Sequence, residues 1–192
     1  MRSKKRTNGN GVFGVRSKTG KDPTARGAWG KPDPWQTAVY RFEEDWPSFN
    51  RQSLTLQQCR TTIKAACLAY GLTPPPVRQH RGRAMTRLEC DDETPPSEWY
   101  ISFRPDHKNT AIALHEAAHY IVDCIHGARG TQDHGPTWQG VYFFLLARAD
   151  IEPLDALKAD ARKHGLRWHE IPPSKLALAR SVPIGVQSRP ST

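Results

Sequence analysis

Apolar and polar positions alternate along this chain in short blocks, and the clearest block runs from Thr110 to His126. Leu114, Ala117, Ala118, Ile121 and Ile125 share one helical face, while Ile112, His115, His119 and Val122 share a second. Asn109 is placed to cap this helix, Pro105 precedes it and Gly127 ends it. Upstream, Leu56, Cys59, Ile63, Ala66, Cys67 and Tyr70 predict a helix over 56–70. Thr55 and Gln58 open it as a capping box and Gly71 stops it. Thr37 to Glu43 alternates, with Ala38, Tyr40 and Phe42 on one side, which predicts a first strand closed by Trp46-Pro47.

Three more strands are predicted after the rigid Pro74-Pro75-Pro76 link: Val77 to His80, Ala84 to Cys90 and Trp99 to Phe103. Downstream, Pro136 suits the first turn of a helix whose apolar face is Trp138, Val141, Tyr142, Leu145 and Ala149. A last helix runs from about Pro153, through Leu154, Leu157 and Ala161, to Gly165. The expected fold class is α+β, a small antiparallel or mixed sheet packed on the 110–126 helix with further helices around it.

Charge adds domain organisation. Residues 1–31 hold nine Lys/Arg and one acid, residues 171–192 hold three Lys/Arg and no acid, and residues 32–170 sum to −2, within an overall +9. The reading is a flexible basic arm at 1–35, a body at 36–170 and an extended basic tail at 171–192. A basic arm suits nucleic acid or another acidic partner, through residues 1–31, or serves as a solubilising tail. Trp29 and Trp35 are unusual in such an arm and are expected to dock on the body or on a partner. Arg78, Arg81, Arg83 and Arg87 read as a solvated hairpin rim in preference to a phosphate contact.

The four cysteines, Cys59, Cys67, Cys90 and Cys124, lack C-x-x-C spacing and read as reduced and mostly buried. No apolar run is long enough for a membrane span, and no apolar segment follows the basic start, so no membrane partner is expected and the placement is cytoplasmic (or, for a viral protein, host cytoplasm or virion).

The candidate chemistry lies in His115-Glu116-Ala117-Ala118-His119, an H-E-x-x-H segment. Residues four apart on a helix lie on one face, so His115 and His119 can place two imidazoles on one metal ion, with Glu116 within reach of a water there. Catalytic zinc takes three protein ligands and leaves one position open. His134 is the favoured third, on a loop before the next helix. His126 lies too far along the same helix, and Glu152 is a weaker alternative. Asp133 is a rival, because Gly130-Thr131-Gln132-Asp133 resembles the G-T-x-D of aspzincins. Asp123, four residues after His119, is a candidate acceptor for a ligand imidazole.

H-E-x-x-H followed by His134-Gly135 and Trp138 resembles the SprT-like group of zincin metallopeptidases, of the small phage or bacterial type, over roughly residues 37–165. The resemblance implies a zincin-like fold and a zinc-dependent endopeptidase acting on protein or peptide. It also implies a link to DNA-associated proteins, since Spartan-type members cleave proteins crosslinked to DNA. No cysteine follows Cys124, so the zinc ribbon of some members has no counterpart here. Under this resemblance zinc is held by His115, His119 and His134, and Glu116 is the general base. Tyr120, Tyr142 and Arg104 are candidate oxyanion donors. Trp99 to Phe103 is then the strand that edges the cleft and pairs with extended substrate. The alternatives are an interaction or structural protein of a larger assembly, viral or cellular, that retains the site, and a nucleic-acid-binding module with a structural zinc.

Overall fold

The computed structural model describes residues 33–46, 53–82, 85–90, 94–127 and 133–171. Residues 1–32 of the expected arm at 1–35, Trp29 among them, together with Arg83 and the tail beyond residue 171, lie outside them. The described residues form an α+β fold of five helices and three strands: α1 (Gln36–Asp45), α2 (Leu56–Ala69), β1 (Val77–Gln79), β2 (Arg87–Glu89), β3 (Tyr100–Phe103), α3 (Thr110–His126), α4 (Pro136–Arg148) and α5 (Leu154–Lys163).

Local signals set most helix ends. Thr55 accepts from the Gln58 backbone N–H at 3.2 Å while the Gln58 side chain accepts from the Thr55 N–H at 2.8 Å, closing the capping box of α2. Asn109 accepts from the Ile112 N–H at 2.8 Å and so caps α3. Gly127, at φ +79°, turns the chain out of α3 in a conformation that costs a side-chain-bearing residue dearly. Pro136 opens α4.

α3 is the centre of the body. It packs against α2, α4 and β2, and α4 in turn packs against α5. Leu114, Ala117, Ala118 and Ile121 are fully buried, each Leu or Ile contributing ~1.5–3 kcal/mol of transfer free energy. Ile125, expected on that core face, is instead 45% exposed, because the last turn of α3 runs past the elements that cover the rest.

The sheet order is β1-β3-β2, with β1 parallel to β3 and β2 antiparallel to it. Ile101 is opposite both Val77 and Leu88, so β3 is the central strand. This corrects the expectation that Trp99 to Phe103 edges a cleft. A strand hydrogen-bonded on both sides has no free backbone row to offer an extended peptide, and among the described strands the edges are β1 and β2.

The second correction concerns Thr37 to Glu43, which is helix α1 and not a strand. Trp35, Val39, Phe42 and Trp46, spaced 4, 3 and 4 residues apart, all face the core. That helical stripe outweighs the period-two pattern of Ala38, Tyr40 and Phe42. Phe42 lies 5.4 Å from the Phe143 ring and 6.0 Å from that of His164, which docks α1 on α4 and the end of α5. The expectation for Trp35 holds, since it packs against the core.

None of the four cysteines is in a disulfide; Cys59 and Cys67 are buried and Cys90 and Cys124 half-buried. Among the described residues, no helix is long and apolar enough to cross a membrane. Arg78 stacks on the Tyr100 ring at 4.2 Å and Arg87 pairs with Glu89 at 2.9 Å, so both are engaged at the rim of the sheet.

Candidate metal centre

α3 supplies His115 and His119 one turn apart, as i, i+4 spacing requires. The turn entering α4 brings His134 onto them, and the three ligand atoms lie within 4.8 Å of one another. His115 Nε2 and His134 Nε2 are 3.2 Å apart. His134 is held in place through its backbone, because Gln139, one turn into α4, donates its amide to the His134 carbonyl at 2.7 Å. Beneath the cluster lies the buried Trp138 ring, 4.7 Å from His115, 5.1 Å from His119 and 4.8 Å from His134.

The site is deep. His115 and Glu116 are each 6% exposed and His134 is 5% exposed, while His119 is half-buried. Burial, reinforced by the two neighbouring imidazoles, holds His119 well below the usual histidine range, and burial also lowers His134. Burial acts to lower His115 as well, but the carboxylates of Glu43, Glu116 and Asp33 together turn the net direction upward. Glu116 is pushed up to about 7, chiefly by burial. Its Oε2 accepts from the Leu88 backbone N–H at 2.8 Å, which ties the carboxylate to β2, a strand at the edge of the sheet.

The remaining expectations separate cleanly. Among the described residues the cluster that can hold a metal ion is His115, His119 and His134; Asp133, Glu152 and His126 are not part of it. Asp123 makes no hydrogen bond to His119, and its carboxyl is raised to about 7 by burial and by the Asp133 charge. Of the three expected oxyanion donors, Tyr120 donates to the Thr73 carbonyl at 2.9 Å and Arg104 is paired with Asp106. Tyr142 lies at the site, its ring 5.6 Å from His115, and its hydroxyl donates to Glu43 at 2.7 Å.

Three site residues escaped the sequence reading: Asp33, Tyr40 and Glu43. Tyr40 stacks on His115 at 6.1 Å and meets the His134 ring edge-on at 5.7 Å. Glu43 Oε1 contacts His115 Nδ1 at 2.8 Å, and Asp33 Oδ2 contacts His134 Nδ1. Asp33, within the stretch expected to be arm, thus belongs to the centre. With Gln36 these residues are spaced 3, 4 and 3 apart, which is a polar helical face. That face was a legible signal, hidden by the strand assignment.

The donor set fits a metal cation. With the Nδ1 atoms of His115 and His134 turned to carboxylates, their Nε2 lone pairs face each other, an arrangement that a shared cation relieves. Comparison with protein-family models, curated proteins and solved structures returned no match.

Proposed function

We propose that this chain is a zinc-dependent endopeptidase. His115, His119 and His134 hold the metal and Glu116 serves as general base, as the resemblance to the SprT-like zincins implies. The observation that carries this reading is the convergence of three buried imidazoles, with a carboxylate from the same helix adjacent to one of them. Structural zinc sites are closed by four ligands, whereas catalytic sites use three and leave a position open. Among the described residues no fourth His, Cys, Asp or Glu joins this cluster. The ligand chemistry, three imidazoles, suits zinc well.

Bound zinc supplies Lewis-acid chemistry, making water nucleophilic near neutral pH and polarising a carbonyl. The rest falls to the protein. Glu116 takes the proton of the attacking water and delivers it to the leaving amine. His119, held neutral by burial, keeps its lone pair available to the metal. Glu116 is tied to the edge strand β2 through the Leu88 N–H, so an extended peptide that adds on β2 must displace that bond.

Two variants test the proposal. Glu116→Gln should keep zinc content and fold but reduce hydrolysis of a denatured protein by at least ~100-fold, the scale of a lost general base. Full turnover in the metal-loaded variant would sink the assignment. His134→Ala should lose most bound zinc while Asp133→Ala keeps it; the reverse pattern would transfer the third position to Asp133. A second reading, a binding protein that retains the centre without turnover, is favoured by the burial of Glu116 and by its bond to Leu88. Zinc-loaded wild-type protein that hydrolyses nothing would select that reading.

A further inference from the structure

Two of the three imidazoles are gripped from behind by carboxylates of one short segment at the start of the body. Glu43 takes Nδ1 of His115 at 2.8 Å and Asp33 takes Nδ1 of His134. An ionised carboxylate can only accept, so each contact requires a proton on Nδ1, and in the neutral imidazole that leaves Nε2 as the lone pair. Those two Nε2 atoms are the ones that lie 3.2 Å apart at the middle of the cluster.

Both carboxylates are themselves restrained. The Tyr142 hydroxyl donates to Glu43 Oε1 at 2.7 Å, while Asp33 Oδ1 accepts from the Trp35 N–H at 2.9 Å and the Gln36 N–H at 3.2 Å. The segment that carries them, α1 and the turn before it, is fastened to the body by the buried Val39 and Phe42 and by a Trp46 indole bond to Asp160. Among the described residues His119 has no such carboxylate, and its ring contacts His115, His134 and Trp138.

We infer that Asp33 and Glu43 are positioning residues of the metal centre, which set His134 and His115 in the Nδ1–H form and aim Nε2 at the ion. Helix α1 and the turn before it then support the metal site, although they carry no ligand. This rests on the reading of the three histidines as metal ligands.

The test uses the full chain and zinc alone. Glu43→Gln and Asp33→Asn retain shape and acceptor oxygen but lose the charge, and each should weaken zinc binding ~10–100-fold in competition with a chromophoric chelator. Glu43→Asp should recover part of the loss. In zinc-loaded wild type, ¹⁵N spectra of the histidine rings should show a protonated Nδ1 and a metal-bound Nε2 for His115 and His134, a readout that does not depend on any variant folding. Zinc bound through Nδ1 of either residue would overturn the inference, as would affinities of both folded variants within twofold of wild type. In those cases the three-histidine site itself survives. Wild type that takes up no zinc would overturn the metal reading and this inference together.

Discussion

Gly140→Ala sets two effects of opposite sign against each other. Gly140 lies inside α4, where replacing glycine by alanine favours the helix by ~1 kcal/mol. A Cβ at this position, however, would stand 1.7 Å from the carbonyl oxygen of His169 and 2.9 Å from its carbonyl carbon. These are backbone atoms, so the segment 166–171 must be displaced by about 2 Å to reach ordinary contact. That segment is fastened by two bonds to α4, from the Arg167 N–H to Gln139 Oε1 at 3.0 Å and from the His169 N–H to the Pro136 carbonyl at 2.9 Å. Losing both costs ~2 kcal/mol. Loosening the buried Leu166 and the contact of Trp168 with Phe143 at 5.7 Å costs ~1–3 kcal/mol more. The balance is a net destabilisation of ~2–4 kcal/mol, or a fall in Tm of roughly 4–16 °C for a domain of this size. Thermal unfolding followed by circular dichroism reads it directly. Zinc affinity should fall in parallel, since Gln139 loses the partner of its Oε1 while its amide holds the His134 carbonyl. A Tm equal to or above that of wild type would refute the reasoning, because helix propensity would then have won and the strap could not be seated on Gly140.

Two further outcomes are expected. Asp123, raised to about 7 from an ordinary 3.8 by burial and by Asp133, binds more protons folded than unfolded between those values, so stability falls as pH rises through that window. Asp123→Asn should therefore raise Tm near pH 8 by several degrees and leave it nearly unchanged near pH 4; equal effects at both would show that the carboxylate is not strained by burial. Deleting residues 1–31, which hold nine Lys/Arg and one acid, should abolish most non-specific binding to duplex DNA and leave hydrolysis intact. With the arm present, log K should fall with log salt at a slope as steep as about −7 if all of its excess charge meets phosphate. Unchanged DNA affinity after the deletion would exclude the arm as the contact.

Much of the body was legible because its signals are local. The capping box at Thr55 and Gln58, the Asn109 cap, the glycines at 71, 127 and 165 and Pro136 at the start of α4 each act within one turn of chain, and the helices begin and end where those residues stand. α1 failed for the complementary reason. An isolated helix of ten residues is marginal in water, so its state is decided by what it docks against. The surfaces that receive it, Phe143 and His164, come about a hundred residues later.

The site divides along the same line. The spacing of His115, Glu116 and His119 needs only a helix to put two imidazoles and a carboxylate in reach of one point, and the sequence by itself determined that much. Which residue of the Asp133-His134 pair turns inward depends on how the 133–135 turn meets α3, and the tertiary structure decided for His134. It also decided that β3 lies in the middle of the sheet, leaving an edge at β2, because strand order is a matter of pairing between distant segments. And it alone brought Asp33 and Glu43 behind His134 and His115, across separations of 101 and 72 residues. Helical periodicity is a property of neighbours in the chain, whereas the contacts that orient these imidazoles exist only once the apolar face of α1 is buried.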